Sequence, residues 1–474
     1  MPAPIHSAQS APGNPLAAAV WDADRLHRYA RSGPRYTSYP TALSFDPSFT
    51  ADDFSAALQR SNQTQRPLSL YVHIPFCRNV CFYCACNKIA TKNTALAASY
   101  LAGLDKEMAL TAQNLDTRRP VEQLHWGGGT PTFLTLDQMS ELVDKLDAHF
   151  GLSDDPERDY AIEIDPREAD VLTLRHLQSL GFNRLSLGVQ DLDPQVQQAI
   201  NRPQPRALTE TLMDEAHRLG FRSLNLDLIY GLPRQTADSF AQTLRQIIEL
   251  NPARLSVFNY AHLPKRFPPQ RRILDAELPS RDEKLAMLRT TIEMLTAAGY
   301  VHIGMDHFAR PDDSLAIAQR RGTLQRNFQG YSSHAQCDLI GLGVSAISRL
   351  DDSYAQNHSQ LGHYQAAIDQ GQLATLRGIR LCRDDLIRRD AIERLMCDMQ
   401  LDLSTLSEHW QIDARGYFQS TLSALAQAQH DGLIDIREHR LEVTPIGRLL
   451  IRHLAMAFDA RLPSEASHHY SNIV

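Results

Sequence analysis

Residues 71–86 read YVHIPFCRNVCFYCAC, and four of the chain's seven cysteines lie in the last ten of these positions. Cys77, Cys81 and Cys84 have the spacing C-x3-C-x2-C, directly after an apolar run that predicts a β-strand. A loop this short can bring three thiolates to one inorganic centre and leave one metal position open for chemistry. We therefore predict a three-cysteine iron–sulfur cluster. The alternatives are a disulfide pair or a zinc site with Cys86 as fourth ligand, in which joint ligation by Cys84 and Cys86 is sterically awkward.

Length and composition place the chain in a broad class. Its 474 residues, 43% of them hydrophobic, suit a large α/β barrel with an addition. The net charge of −7 with mixed signs does not favour binding to nucleic acid or to a membrane. The first 20 residues are rich in Ala, Pro and Ser, lack a signal-peptide pattern and are expected to be disordered. No apolar run approaches the roughly 18 residues that span a bilayer. We expect a cytoplasmic protein with reduced thiols.

Strand-like and helix-like segments alternate from residue 68 onward. The candidate strands are residues 68–73, 121–126, 160–165, 184–190, 223–229 and 254–260. Helical patterns lie between them, for example at residues 205–219 and 236–249. Strand–helix units that repeat in this way are typical of a parallel sheet. We predict an α/β fold with a full or partial parallel β/α barrel, and a flat doubly wound sheet is the alternative.

The candidate strands alternate apolar and polar residues. In the third strand Glu163 and Asp165 alternate with isoleucines, and in the fifth Asn225 and Asp227 alternate with leucines. Strands buried on both faces would be continuously apolar, so one face of each strand should be polar. Polar residues near the carboxyl ends would meet at the top of a barrel, where the active sites of such barrels lie.

A glycine turn follows the second strand. Gly127, Gly128 and Gly129 precede Thr130 and Pro131. Three residues without a Cβ allow the backbone to approach a ligand and to offer it N–H and C=O groups. The turn lacks the G-x4-G-K-[ST] arrangement of a phosphate loop.

The whole pattern resembles a known group of enzymes, the radical S-adenosylmethionine (SAM) superfamily. Within it, the chain is similar to the family of oxygen-independent coproporphyrinogen III oxidases of haem synthesis. Beyond the cysteines, the resemblance is carried by RYTSYPTALSF from Arg35, HWGGGTPTFL from His125, FNYAHLPKRFPPQRRI from Phe258, GMDHFARPDD from Gly304, RNFQGYSSH from Arg326, GLGVSAIS from Gly341 and RDDLIRRDAIERLMC from Arg383. It covers nearly everything after about residue 20.

The resemblance implies a specific reaction. Cys77, Cys81 and Cys84 would hold a [4Fe-4S] cluster whose fourth iron binds SAM. One electron from the cluster would cleave SAM to methionine and a 5′-deoxyadenosyl radical, which removes a hydrogen from the β-carbon of a propionate of coproporphyrinogen III. Loss of carbon dioxide and transfer of one electron to a final electron acceptor leave a vinyl group, and two such steps give protoporphyrinogen IX. We expect a monomer that receives electrons from a donor such as flavodoxin or ferredoxin.

The resemblance also implies roles for individual residues. Tyr71 and Tyr83 would lie against cluster and SAM, and His73 and Cys86 near the chemistry, so that Tyr71, His73 and Cys86 are candidate catalytic residues. Gly128, Glu163 and Ile347 match positions that hold the cluster-bound SAM. The positions that match contacts to a second SAM are Gly129, Thr130, Gln190, Arg202, Asp227 and Ala261.

Four arginines stand close together before the barrel: Arg25, Arg28, Arg31 and Arg35. On charge alone, a solvated helix face and a surface for an anionic substrate are equally good interpretations. The implied substrate carries four carboxylates, which favours the second interpretation.

The expected organisation has three parts. Residues 1–50 form an N-terminal extension with a basic segment at 25–35, residues 51–355 the barrel, and residues 356–474 a mainly helical domain with a short hairpin. Hydrogen-bonding roles are expected for His307 and His334 rather than metal ligation. The isolated cysteines are expected to be small buried residues, namely Cys337, Cys382 and Cys397.

A haem-binding chaperone is the alternative function. Such relatives resemble the oxidases but tend to lack the YPTA segment, here residues 39–42, and the cysteine at the position of Cys86. Both features are present in this chain, which favours the oxidase.

Overall fold

The centre of the fold is one sheet of twelve strands, seen in a computed structural model that describes residues 21–29 and 32–462. In chain order the strands are β1 (Leu68–Ile74), β2 (Val121–Gly128), β3 (Asp159–Ile164), β4 (Arg184–Gln190), β5 (Ser223–Tyr230), β6 (Arg254–Asn259), β7 (Val301–Gly304), β8 (His307–Ala309), β9 (Asp338–Leu342), β10 (Ile347–Arg349), β11 (Ser353–Asn357) and β12 (Thr375–Arg380). The first six confirm the six predicted strands to within two residues at each end.

The strand order is β12-β11-β10-β9-β1-β2-β3-β4-β5-β6-β8-β7. Strands β9 and β1 to β6 are parallel, and the strands beyond them at both edges are antiparallel. The order does not close on itself, so the sheet is a partial barrel. From β1 to β6 the strand order follows the chain order, whereas the strand order of a flat doubly wound sheet reverses at a switch point. The structure therefore confirms the predicted α/β barrel and excludes the doubly wound alternative.

Helices connect the parallel strands, as the alternating pattern predicts. The helices are α1 (Ala23–Tyr29), α2 (Ala51–Ser61), α3 (Ala95–Ala112), α4 (Leu136–Phe150), α5 (Val171–Ser179), α6 (Pro194–Ala199), α7 (Arg206–Arg218), α8 (Ala237–Leu250), α9 (Arg281–Ala297), α10 (Ser314–Arg321), α11 (Leu361–Asp369), α12 (Arg383–Asp398), α13 (Leu403–Trp410), α14 (Ala414–Tyr417), α15 (Gln419–Ala424), α16 (Ala426–His430), α17 (Pro445–Leu449) and α18 (Ile451–Met456). Several begin at capping boxes, such as Thr135 with Gln138 at α4, which satisfy backbone N–H groups that the first turn leaves unpaired.

The main core lies between the sheet and these helices. Val72, Trp126, Ile162 and Leu226 are each 0% exposed and point outward from the strands under the helices. Their polar neighbours along the same strands therefore face the inside of the barrel, since successive side chains alternate between the two faces.

A second core joins the two ends of the described chain. It contains side chains from α12 to α18 and, from the N-terminal segment, Leu26, Tyr29, Tyr36 and Tyr39. A small antiparallel sheet of Gln400–Asp402, Ile434–Ile436 and Arg440–Val443 includes the predicted hairpin. The main sheet continues to Arg380, so we propose that the helical domain begins near residue 381 rather than at 356.

The three isolated cysteines differ in their burial. Cys337 and Cys397 are buried, as predicted. Cys382 is exposed, so its predicted burial is wrong. It precedes α12 as the N-cap, where its backbone N–H donates to the Asp385 carboxylate over 3.1 Å, instead of occupying the helix interior. None of the helices within residues 21–29 and 32–462 combines the length and apolar character needed to cross a membrane.

Candidate active site

The cysteine loop begins where β1 ends. The short strands Phe76–Cys77 and Ile89–Ala90 pair in parallel and bring the two ends of the loop together. Within the loop, the N–H of Cys84 donates to the C=O of Cys81 over 3.3 Å, and the N–H of Phe82 donates to Ile200 over 3.0 Å. These bonds hold the backbone in one conformation at the carboxyl end of the parallel strands.

Two arginines donate to one of the sulfurs. Arg167 Nη2 and Arg202 Nη1 lie 3.2 and 3.4 Å from Cys81 Sγ. Asp165 orients both, at 2.7 Å from Arg167 Nη2 and 2.9 Å from Arg202 Nη1. Cationic N–H donors stabilise a thiolate, which is the form that ligates iron.

The spacing of the sulfurs argues against a single metal ion. A tetrahedral zinc ion with Zn–S bonds of about 2.3 Å would hold its sulfurs about 4 Å apart. Within the described residues, Cys77, Cys81 and Cys84 do not form a group whose ligand atoms all lie within 4.8 Å of one another. The three thiols nevertheless line one cavity. This arrangement fits a cluster of several irons better than the zinc alternative, and all seven cysteines are free, so the disulfide alternative is wrong.

Glu163 on β3 faces the same cavity. Its carboxylate accepts hydrogen bonds of 3.1 Å from His125 Nε2 and 3.1 Å from the N–H of Gly128. Enclosure by the barrel alone would raise its pKa, but these donors hold the pKa of Glu163 below its usual value. An ionised carboxylate is therefore available at the carboxyl end of β3.

The glycine turn leaves room for these groups. A Cβ on Gly127 would lie 2.9 Å from the Glu163 carboxylate. Gly128 has φ of +114°, and a Cβ there would lie 2.7 Å from the His73 ring. Any side chain at either position would displace a candidate site residue, which is the physical reason for the glycines.

A network of side-chain hydrogen bonds crosses the inner face of β4 and β5. Ser186 Oγ donates to Asp227 Oδ2 over 3.0 Å, and Asn225 Nδ2 donates to Asp227 Oδ1 over 2.8 Å. Burial, and then the nearby charge of Glu163, raises the pKa of Asp227 to about 6. The predicted convergence of polar strand residues inside the barrel is confirmed.

Two cavities, of about 240 and 370 Å³, meet inside the barrel. They share Cys86, Glu163, Ser186, Asp227 and Phe258 in their walls. The first cavity lies at the carboxyl ends of the strands, beside the cysteines. The second extends down the barrel towards the strand starts, for example to Arg184 and Arg254. The molecule therefore has one site next to the cysteines and an adjoining space large enough for part of a second molecule.

The first cavity brings together most of the site residues expected from the sequence: Cys77, Cys81, Tyr83, Cys84, Cys86, Gly128, Gly129, Glu163, Gln190, Arg202 and Asp227. The expected residues outside its lining are Tyr71, His73, Thr130, Ala261 and Ile347. Tyr71 and His73 form a pair behind the glycine turn, with 3.0 Å between the phenol oxygen and Nδ1. Their assignment as catalytic residues stays a prediction.

Known proteins resemble this chain in sequence along almost its whole length. Residues 71–247 match the Radical SAM superfamily, and residues 381–450 match the HemN C-terminal domain. The chain is 53% identical to the oxygen-independent coproporphyrinogen III oxidase of Pseudomonas aeruginosa, over 96% of this chain and 99% of that protein. It is 50% identical to the protein of the same name from Escherichia coli, over 94% and 96% of the two chains.

The chain belongs to the oxygen-independent coproporphyrinogen III oxidase family. A solved structure agrees: coproporphyrinogen III oxidase (HemN) from Escherichia coli, described as a radical SAM enzyme, superimposes with a TM-score of 0.89 at 49% identity, covering 94% of this chain and 99% of that one. Both curated relatives are named as oxidases, which favours that function over haem delivery. Membership implies a [4Fe-4S] cluster and SAM as cofactors.

Sequence reasoning missed several residues of the site. Arg167, His125 and Lys88 contact or line the cysteine–glutamate region, and Phe258 lies in the wall between the cavities. Of these, His125 could have been found, because it alternates with buried Leu124 and Trp126 on the same strand as the glycine turn. Arg167 follows β3 in a 3₁₀ turn, and no local pattern indicates its contact with Cys81.

Each of the three N-terminal arginines that the structure describes pairs with a carboxylate of the protein. Arg25 pairs with Asp22 at 3.2 Å and Arg28 with Asp431 at 3.0 Å, so both bind carboxylates of the protein itself. Arg35 pairs with Asp306 beside Phe258. Arg31 lies outside the described residues. Arg25 and Arg28 lie three residues apart on α1, as the predicted helix face requires, and substrate binding by this segment stays a prediction. Arg35 lies beside Phe258 in the wall of the two cavities.

The two histidines of the sequence prediction differ. His307 lines the second cavity, and its buried Nδ1 has no hydrogen-bond partner among the described residues, so the predicted hydrogen-bonding role is wrong for that atom. Burial lowers the pKa of His307 to about 3, so the imidazole is neutral. His334 lies with Glu122 and Cys337 at the start of β2, where one ligand atom of each lies within 4.8 Å of the others. The buried Nδ1 of His334 also has no hydrogen-bond partner among the described residues, so the predicted hydrogen-bonding role is wrong for that atom too.

Proposed function

We propose that this chain converts two propionate side chains of coproporphyrinogen III to vinyl groups by oxidative decarboxylation, giving protoporphyrinogen IX. The observation that carries the proposal is the meeting of three cysteines, a glycine turn and an ionised carboxylate in one cavity of a chain 53% identical to an oxidase over almost its whole length. Two successive decarboxylations require that the protein release and rebind, or turn, the same ring.

Three cysteines would hold the cluster, namely Cys77, Cys81 and Cys84. When bound, the cluster and SAM supply one-electron cleavage of SAM and removal of a hydrogen atom from the substrate. The protein's own part is to orient the reagents and to exclude water. Arg167 and Arg202 neutralise the negative charge of the cysteine ligands through their bonds to Cys81. Cys86 lines both cavities and is left as a free thiol beside the substrate space.

The cavity contains two sets of polar groups, and each set would bind one SAM molecule. Glu163 would accept a hydrogen bond from the amino group of the cluster-bound SAM, and Gly128 would contact it through the backbone. Gln190 and Asp227 lie on the neighbouring strands β4 and β5, and Arg202 lies in the loop between α6 and α7. These three residues would contact a second SAM. Asp227 suits the ribose hydroxyls, because an ionised carboxylate accepts two hydrogen bonds. We therefore propose two SAM molecules, as the family resemblance implies.

The cellular setting belongs to the same proposal. We infer a cytoplasmic monomer that takes electrons from a small one-electron donor such as flavodoxin or ferredoxin. Seven free cysteines and the absence of a membrane-crossing helix from the described residues are compatible with this setting.

Anaerobic turnover tests the proposal. The purified protein is reconstituted with iron and sulfide and is mixed with reductant, SAM and coproporphyrinogen III. We expect protoporphyrinogen IX and two carbon dioxide molecules per ring, and neither without SAM. Cleavage of SAM with unchanged coproporphyrinogen would refute the assigned substrate while keeping the radical SAM assignment.

A further inference from the structure

Three side chains that can ligate a metal lie together at the amino ends of the parallel strands, at the opposite end of the barrel from the cysteine loop. They are Glu122 at the start of β2, and His334 and Cys337 in the segment that leads into β9. One ligand atom from each lies within 4.8 Å of the other two. The proposed oxidation uses none of these side chains.

The backbone around these residues directs their side chains to one place. The pairing of β2 with β1 has an irregularity at this point: successive residues of β1 pair with Val121 and Gln123, so Glu122 has no partner on that strand. An extra residue of this kind changes the direction of a side chain at the rim of a barrel. On the other side, the N–H of Cys337 donates to the C=O of His334 over 3.3 Å and closes a turn. Two ligands separated by two residues in a turn are typical of zinc sites.

The distances between the ligand atoms are close to those around a zinc ion. Glu122 Oε2 lies 3.6 Å from His334 Nδ1 and 3.8 Å from Cys337 Sγ. A tetrahedral zinc ion with Zn–S bonds of about 2.3 Å and Zn–N and Zn–O bonds of about 2.0–2.1 Å holds such atoms about 3.3–3.6 Å apart. Small rotations of the three side chains would therefore suffice to ligate the ion.

Neighbouring groups orient these ligand atoms. His334 Nδ1 is buried and has no hydrogen-bond partner among the described residues, whereas Nε2 of the same ring lies 3.5 Å from Asp159 Oδ2. A carboxylate beside Nε2 favours the proton on that nitrogen and leaves the lone pair of Nδ1 free for a metal, which is the usual arrangement of a zinc-bound histidine. Gln336 Nε2 donates to Glu122 Oε2 over 2.8 Å and so holds the second ligand. Metal ligation, which the sequence did not favour for His334, thus gives its buried nitrogen a partner.

We propose that Glu122, His334 and Cys337 bind one zinc ion, with water in the fourth position. A thiolate and an imidazole together favour zinc over the magnesium or calcium that carboxylates alone would bind. Binding releases the thiol proton of Cys337 to the solvent. The ion would tie the segment before β9 to the start of β2. Because it binds the folded chain and not the unfolded one, zinc should raise the melting temperature.

Zinc retention by the reconstituted holoenzyme tests the site, because iron then occupies the cluster cysteines. After anaerobic incubation with zinc chloride and passage over a chelating resin, metal analysis should find about one zinc per chain in the wild type. Cys337→Ser, His334→Gln and Glu122→Gln should each weaken zinc affinity about tenfold or more, since each removes a ligand. Cys382→Ser is the matched control: it removes an exposed cysteine away from the site and should keep the zinc.

Two further measurements separate this site from other places where zinc could bind. X-ray absorption at the zinc edge of the wild type should show one sulfur ligand at about 2.3 Å, with the other ligands nitrogen or oxygen at about 2.0–2.1 Å. Cys86→Ala removes the free thiol of the first cavity and should keep the zinc. Iron content and melting temperature show whether each variant is folded, and the three ligand variants test the site independently. Wild-type protein that retains no zinc, or that holds zinc without a sulfur ligand, would overturn the proposal. Zinc that Cys86→Ala loses and Cys337→Ser keeps would overturn it as well.

Discussion

Glu163→Gln should reduce SAM affinity without unfolding the barrel. Glu163 is 44% exposed into the cavity and presents an ionised carboxylate there. The variant keeps an oxygen that can accept from the N–H of Gly128, which lies 3.1 Å from the native carboxylate. It loses the charge that would bind the amino group of SAM. A hydrogen bond to a charged group contributes about 1.5–3 kcal/mol, so we expect affinity to fall about 10- to 150-fold.

Anaerobic equilibrium dialysis with labelled SAM and thermal melting measure the two effects separately. Asp159→Asn is the control, because Asp159 begins the same strand, is buried and pairs with Arg184 at 2.9 Å. Removing it leaves a nearly buried guanidinium without its partner and should cost about 3–5 kcal/mol of stability with unchanged SAM affinity. The reasoning fails if Glu163→Gln binds SAM like wild type, or if its melting temperature falls as much as that of the control.

Three further outcomes follow from the same site. Cys86→Ala should keep the iron and brown colour of the reconstituted protein, whereas Cys81→Ala should lose both; equal iron loss in the two variants would refute the three-ligand assignment. The pKa of Asp227 is raised to about 6, so SAM affinity should weaken as pH falls below 6, and Asp227→Asn should remove that dependence. Burial raises the pKa of Glu107 to about 7. Between pH 5 and pH 8 the free energy of unfolding of the wild type should therefore fall by about 2–3 kcal/mol relative to that of Glu107→Gln. The same pH dependence of the unfolding free energy in both proteins would contradict this.

The predicted loss of stability with rising pH follows from the raised pKa of Glu107 in the folded protein. Glu107 accepts from the N–H of Gly343, the amide of Asn357 and the hydroxyl of Tyr364 at 2.6–2.7 Å, and is 2% exposed. A carboxyl whose pKa is higher in the folded state favours folding at low pH. That contribution begins to disappear above about 4.5, the ordinary pKa, and is gone above about 7.

Local patterns predicted the strands and the cysteine site well. Alternation along β3 and β5 placed Glu163 and Asp227 inside the barrel, because a strand has a period of two residues whatever surrounds it. The spacing of Cys77, Cys81 and Cys84 predicted their common cavity, since a short loop cannot separate them far. Both inferences depend on residues close together in sequence.

Contacts between distant segments could not be predicted in this way. Arg35 meets Asp306 across 271 residues, and Arg28 meets Asp431 across 403. A charge pattern shows that arginines are close together in the chain, but which carboxylate each one meets depends on how the N-terminal segment packs. The exposed position of Cys382 was missed for a related reason, because a helical pattern does not show which residue becomes the N-cap.

The most direct test of the account uses coproporphyrinogen III deuterated at the β-carbons of its propionates. After anaerobic turnover by the reconstituted protein, mass spectrometry measures deuterium in the 5′-deoxyadenosine released from SAM. The account predicts one deuterium per molecule of 5′-deoxyadenosine formed in coupled turnover, together with protoporphyrinogen IX. Formation of protoporphyrinogen IX with unlabelled 5′-deoxyadenosine would contradict the account.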